Sequence, residues 1–216
     1  MISVYSAEVL CLNDEDVFKS ACEKVNPQRR LKIDRLKFKK DKLLSLGAGL
    51  LLKKAFRDFG IDYENAVFSE NEYGKPYIKN SDIQFSLSHC GTYAMCAVSD
   101  TAVGCDIEYV TDFDIRIAEK FFCKTEYERL ALISDKAERQ DLFFRYWTLK
   151  ESFVKALGRG LSIPLDSFRI EFNERPFVKD TKFYFKEFNL NDGYKRCVCS
   201  EYEKIGDIKE IDLMLL

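Results

Sequence analysis

Three short stretches hold residue types whose spacing can do chemistry. The first is Val103-Gly104-Cys105-Asp106-Ile107-Glu108. Side chains of a strand alternate between its faces, so Asp106 and Glu108 share one face while Val103, Cys105 and Ile107 take the other. Two carboxylates placed this way bring their oxygens within reach of one hard cation. Mg2+ suits such a pair because it takes oxygen ligands and keeps several waters or substrate oxygens. An ordinary solvent-facing strand edge would read the same. The second stretch is Trp147-Thr148-Leu149-Lys150-Glu151-Ser152-Phe153-Val154-Lys155. On a helix, Trp147, Glu151 and Lys155 stack along one side at steps of four, so a carboxylate and an ammonium can reach a metal and a phosphate oxygen together. The plain alternative is a stabilising Glu–Lys pair worth about 0.2–0.5 kcal/mol. The third is Phe85-Ser86-Leu87-Ser88-His89, which holds the only histidine. Ser88 and His89 are neighbours on a strand and face opposite ways, so they do not make a hydrolase triad. His89 can instead donate to a phosphate oxygen while Ser88 supplies a hydroxyl, or it can be purely structural.

The elements that must position these residues follow from periodicity and turn formers. Ile2–Leu10 alternates as an opening strand. Leu36, Leu43, Leu46 and Leu50, with lysines between them, predict one long helix over Asn26–Phe59, stopped by Gly60. Asn71–Asn80 is rich in turn formers, with Gly74 and Pro76 bracketing Lys75. Ile83–Ser88 and Tyr93–Val98 read as a hairpin. A second unit opens with a strand at Ala102–Glu108. Helical patterns then cover Asp114–Phe122, Thr125–Leu132 and Asp135–Leu157, the last ending at Gly158-Arg159-Gly160. SFRIEF, KFYFKEF, YKRCVCSEY and the terminal IDLMLL read as strands. Strand, long helix and strands therefore recur in each half, with no low-complexity linker between them.

Composition narrows the classes. With 46% hydrophobic residues and 14% aromatics, 216 residues suffice for a packed core. The start, MISVYSAEVL, has neither the basic n-region nor the apolar run of a signal peptide, and no stretch has the roughly 18 apolar residues of a membrane span. A soluble, cytoplasmic protein is expected. Eight scattered cysteines without a CxxC pair, beside one histidine, predict reduced and mostly buried thiols rather than disulfides or a zinc site. The net charge is −2, yet residues 27–57 carry 11 Lys/Arg against 2 Asp/Glu. Such a segment is a docking place for a polyanion or simply a solvated helix face. It holds only Phe38 and Phe56 among aromatics, a poor set for nucleic-acid recognition.

Singly these motifs are weak; together and in this order they are specific. Gly74-Lys75-Pro76, Ser88-His89, the Asp106/Glu108 strand and the Trp147–Lys155 helix, with 41 residues from Asp106 to Trp147, resemble the 4'-phosphopantetheinyl transferases. The length resembles the larger, surfactin-synthetase-activator type rather than the short trimeric holo-acyl-carrier-protein synthases. The resemblance runs from the basic stretch to about Phe172. It implies an α+β fold of two similar halves, each a small sheet packed on a long helix, with boundaries at 1–101 and 102–216 and the cofactor in the cleft between them. It implies an enzyme that moves the phosphopantetheine arm of coenzyme A to a serine of an apo carrier protein, with Mg2+, releasing 3',5'-ADP. By the same resemblance Asp106, Glu108 and Glu151 hold the metal, and Glu151 and Lys155 are catalytic. Lys75, Pro76, Ser88 and His89 contact the adenine and 3'-phosphate end, and Arg29, Lys32, Lys150 and Lys155 meet phosphate charge. The partners implied are coenzyme A and a carrier protein, not nucleic acid or membrane, and a monomer is expected. One departure stands out: where the family often has an arginine before its small-residue helix segment, this chain has Lys42 and Leu44. A non-catalytic relative that only grips carrier protein or coenzyme A would have lost a carboxylate, and all three are present.

Overall fold

The computed structural model describes residues 1–216, the side chain of residue 161 excepted. Strand β1 (Ile2–Glu8) leads into helices α1 (Glu15–Glu23), α2 (Pro27–Arg35) and α3 (Lys39–Asp58). Two short strands, β2 (Phe68–Glu70) and β3 (Pro76–Ile78), precede the hairpin of β4 (Gln84–Cys90) and β5 (Tyr93–Ser99). The second half opens with β6 (Val103–Tyr109), continues through α4 (Ile115–Phe121), α5 (Lys124–Ala131) and α6 (Lys136–Leu157), and adds the small hairpin β7 (Glu171–Phe172) and β8 (Pro176–Phe177). Strands β9 (Tyr184–Phe188), β10 (Tyr194–Ser200) and β11 (Ile208–Glu210) complete it. Among the described residues, no helix is long and apolar enough to cross a membrane.

The architecture is α+β, as expected. One sheet has the order β11-β1-β5-β4 and the other β6-β10-β9. The first packs on α3, whose buried Leu46, Leu50, Leu51 and Phe56 join Tyr5, Phe85 and Cys96. The second packs on α6 through Leu149, Phe153, Phe185 and Cys197. A third apolar cluster lies between the sheets, with Val4, Met95 and Ala97 from one side meeting Val103, Cys105, Ile107 and Val198 from the other. The alternation read for β6 is thus realised: its apolar residues face the first sheet and its acids face α6.

Three expectations need correction. Asn26–Phe59 is two helices, not one. Asn26 caps α2 by accepting from the Arg29 amide at 2.8 Å, and the backbone is extended at Leu36 and Phe38 before α3 begins. The break lets α2 fold back on α3, where Gly49 leaves room: a Cβ there would lie 3.0 Å from Val25 Cγ1 and 3.1 Å from Arg29 Cγ. IDLMLL is not a strand. Leu213–Leu215 forms a 3-10 turn capped by the Asp212 carboxylate, with Leu213 buried in the α3 core. In SFRIEF only Glu171–Phe172 is strand, because Leu165–Ser167 also turns. The chain instead sends β11 across to pair in parallel with β1, Val4 opposite Ile208. All eight cysteines are free, four of them buried and one exposed.

The close fit of β6 to α6 depends on Gly104. A Cβ on that residue would stand 2.0 Å from the Ser152 carbonyl oxygen and 2.4 Å from the Ala156 nitrogen, both helix backbone that cannot turn aside. Gly104→Ala is expected to cost about 2 kcal/mol or more by overpacking and to lower the thermal midpoint. An unchanged midpoint would mean that strand and helix are not this close.

Candidate active site

Strand β6, helix α6, the end of β4, the Gly74–Pro76 loop and α2 converge on one cleft of about 630 Å3 between the two sheets. From β6 come Asp106, 3% exposed, and Glu108, half-buried. From α6 come Trp147, Glu151 and Lys155, one turn apart on the same side. Ser88 and His89 close the far wall, and Arg29, Lys32, Lys75 and Pro76 line the mouth. A second hollow of about 520 Å3 continues from it past Arg29, Lys32 and Pro76.

At the floor, the Lys155 ammonium donates to Asp106 Oδ1 at 2.6 Å and to Ser88 Oγ at 3.1 Å, and the Ser88 hydroxyl donates to the same Oδ1 at 2.7 Å. Asp106 Oδ2 is buried without a hydrogen-bond partner. Burial, and then the Asp106 charge, raise the pKa of Glu108 and of Glu151 above the usual carboxylate range. Burial alone would pull the Lys155 ammonium down, but the Asp106 carboxylate beside it leaves its pKa raised. Burial lowers His89, and nearby Lys32, Lys155 and Arg29 lower it further, so the ring is a neutral imidazole at neutral pH. Burial also lowers Arg29 and Lys32. Lys75 is pushed down to about 8 by burial, its ammonium donating to the carbonyls of Val103 at 3.1 Å and Ala156 at 3.4 Å. It thereby ties a loop of the first half to the start of β6 and the end of α6, an attachment strengthened by Asn71, which donates to the Gly158 carbonyl at 2.7 Å.

Among the described residues, no three His, Cys, Asp or Glu side chains are gathered closely enough to hold a metal ion as they stand. The donor chemistry nevertheless fits a hard divalent cation: three carboxylates line one cleft, and one of them offers a buried oxygen with no other partner.

Lys150 does not join the site. It is fully buried on another side of α6, paired to Glu126 Oε2 at 2.8 Å and donating to the carbonyls of Leu165 and Phe168, each at 2.8 Å. One residue along a helix turns the side chain by about 100°, so the neighbour of Glu151 points into the α5–α6 core. Lys42 and Leu44 do not line the cleft either; Leu44 is buried. The basic segment divides: Arg29 and Lys32 face the cleft, while Lys53, Lys54 and Arg57 line a separate hollow with Lys24. Two cleft residues escaped sequence reasoning. Ser86 lies two residues from Ser88 on the same strand face, where alternation would have found it, and its hydroxyl accepts from the Cys105 amide at 3.0 Å. Tyr73 sits in the turn-rich loop, where no periodicity flags it.

Comparison with known proteins identifies the family. A model of the 4'-phosphopantetheinyl transferase superfamily matches residues 102–209, and a model of the 4'-phosphopantetheinyl transferase N-terminal region matches residues 13–101. The chain is 36% identical to the 4'-phosphopantetheinyl transferase Sfp of Bacillus subtilis (strain 168), over 82% of this chain and 83% of that protein. It is also 36% identical to the 4'-phosphopantetheinyl transferase gsp of Aneurinibacillus migulanus, over 90% and 84%. A 4'-phosphopantetheinyl transferase of Bacillus subtilis is 32% identical over 94% and 93%. The chain belongs to the 4'-phosphopantetheinyl transferase superfamily. Both family regions are present in this one polypeptide.

The Lys150–Glu126 pair yields a test of its structural role. Lys150→Met strands a buried carboxylate and is expected to cost about 3–5 kcal/mol. Adding Glu126→Gln removes the stranded charge and keeps an acceptor for one of the two amides, Cys123 or Ile170, that donate to separate oxygens of Glu126, and should recover part of the loss. Urea denaturation measures both.

Proposed function

We infer that this enzyme transfers the 4'-phosphopantetheine arm of coenzyme A to a serine of an apo carrier protein in the cleft between its halves. The observation that carries the reading is the meeting of Asp106, Glu108 and Glu151 with Lys155, Arg29, Lys32 and Lys75 in that one cleft. Residues 1–101 supply the contacts to the nucleotide end, and residues 102–216 supply the metal ligands and the catalytic helix.

Asp106, Glu108 and Glu151 would hold Mg2+, which when bound supplies positive charge to the diphosphate. Arg29, half-buried, and Lys32, exposed, have no ion-pair partners among the described residues and attract phosphate at the cleft mouth. Ser88 and neutral His89 offer hydrogen bonds to the same ligand, and Lys75 with Pro76 shapes the loop over it. The carrier serine oxygen attacks the phosphorus that bears pantetheine. A new P–O bond forms, the P–O bond to the bridging oxygen breaks, and the electron pair leaves with 3',5'-ADP. Glu151 takes the serine proton through a water. Lys155 neutralises charge on the phosphates. Positioning and charge supply most of the rate in such transfers. The eight free thiols support a reducing compartment, the cytoplasm, and the core shared between the sheets supports a monomer.

Incubation with coenzyme A, Mg2+ and several apo carrier domains, scored by intact mass, tests the transfer directly. Glu151→Gln is expected to abolish it while coenzyme A still binds; near-normal turnover in that variant would refute the assignment.

Lys75 adds a pH dependence. Its ammonium is charged below about 8, so affinity for anionic coenzyme A should fall as pH rises through that value, and Lys75→Met should remove this part of the profile. The folded-state pKa lies below the unfolded one, so the cost of burying the charge is full below about 8 and is relieved as pH rises from there toward 10.5. Calorimetric titration across that range reads the first effect and thermal unfolding the second.

A further inference from the structure

Of the three carboxylates in the cleft, the most buried already has a cation. Asp106 Oδ1 receives the Lys155 ammonium at 2.6 Å and the Ser88 hydroxyl at 2.7 Å, and Ser88 holds the same ammonium at 3.1 Å. Glu108 and Glu151 form no ion pair among the described residues. The Lys155 side chain is 30% exposed against 4% for Asp106, so the stem has open space on its cleft side. It sits in the last turn of α6 on a flexible four-carbon chain.

Two cations cannot share a buried carboxylate cheaply. At low effective dielectric, an ammonium against Asp106 repels a divalent ion seated a few ångströms away. An incoming diphosphate offers the ammonium an alternative anion in the same cleft. Resting on the function proposed above, we infer that Lys155 is a built-in counter-cation for Asp106, and that its transfer to the phosphates of coenzyme A releases Asp106 to bind the divalent metal. The protein alone then binds metal weakly, and coenzyme A binding opens the metal site. By linkage, metal tightens coenzyme A by the same factor. The device keeps the three acids from capturing a divalent ion before the substrate arrives.

Tightening of metal by coenzyme A is not diagnostic by itself, because a diphosphate is a metal ligand in its own right. The diagnostic state is the protein without coenzyme A. Mn2+ serves as the probe, its free fraction followed by electron paramagnetic resonance. Lys155→Met without coenzyme A is expected to bind Mn2+ at least about ten-fold more tightly than the natural sequence, within the usual range of coupling between sites. Lys155→Arg, which keeps a cation, should stay weak. Equal Mn2+ affinity of Lys155→Met and the natural sequence overturns the inference. If Lys155→Met does not fold because Asp106 is left uncompensated, added Mn2+ should restore folding where Na+ at equal ionic strength does not; failure of that rescue overturns it as well. The natural sequence with coenzyme A separates the two readings. Strong Mn2+ binding there, beyond that of free coenzyme A, alongside an unaltered Lys155→Met, sinks only the counter-cation role. No added Mn2+ binding there sinks the metal reading and this inference together.

Discussion

The structure hangs on the approach of β6 to α6. At Gly104 the strand has no side chain, and the helix backbone at Ser152 and Ala156 occupies the space a Cβ would need. This contact fixes the distance between two elements that each carry half of the acidic set. Asp106 lies two residues further along the strand and Glu151 one residue before Ser152 on the helix. Lys155 is adjacent to Ala156, which explains how a residue far away in sequence reaches Asp106 within 2.6 Å. Cleft geometry is thus a consequence of backbone packing rather than of side-chain reach, and rigid elements hold functional groups more accurately than loops do.

Electrostatics in the cleft follow from who has a partner. Arg29 is half-buried and Lys32 lies at the rim, both without counter-ions among the described residues, and their mutual repulsion adds to the desolvation that lowers the pKa of Lys32. Such unpaired, partly buried cations are costly in the free protein and are relieved by an anionic ligand, a pattern that marks functional sites. Lys150 has the opposite arrangement. It is fully paired, fully buried and structural, though it neighbours a catalytic candidate in sequence. Charge type and proximity in the chain do not separate these roles; facing the cleft or the core does.

Much of the cleft was legible because it rests on local periods. A two-residue period put Asp106 and Glu108 on one face, and a four-residue step put Trp147, Glu151 and Lys155 on one side. Both hold in the fold. The features that were not legible depend on long-range contacts. The break at Leu36–Phe38 arises because α2 must fold back over Gly49, and nothing in the leucine spacing encodes that return. Lys150 is drawn inward by Glu126, which belongs to another helix. The Lys155–Asp106 pair spans 49 residues and could not be told from a Glu151–Lys155 pair on the helix surface. The terminal segment misled because Leu213 supplies core burial from a turn, which hydrophobic content alone does not distinguish from a strand.

The parallel pairing of β11 with β1 also orders events during synthesis. β1 is the second strand of its sheet, and its outer edge is covered by residues 208–210. As the ribosome proceeds from the amino end, the first half emerges with that edge bare, and an uncovered strand edge is a template for unwanted association between nascent chains. The lid arrives only after β6 through β10 have been made. An amino-terminal fragment, however well its helix and hairpin fold, would therefore carry a sticky margin that the whole polypeptide conceals.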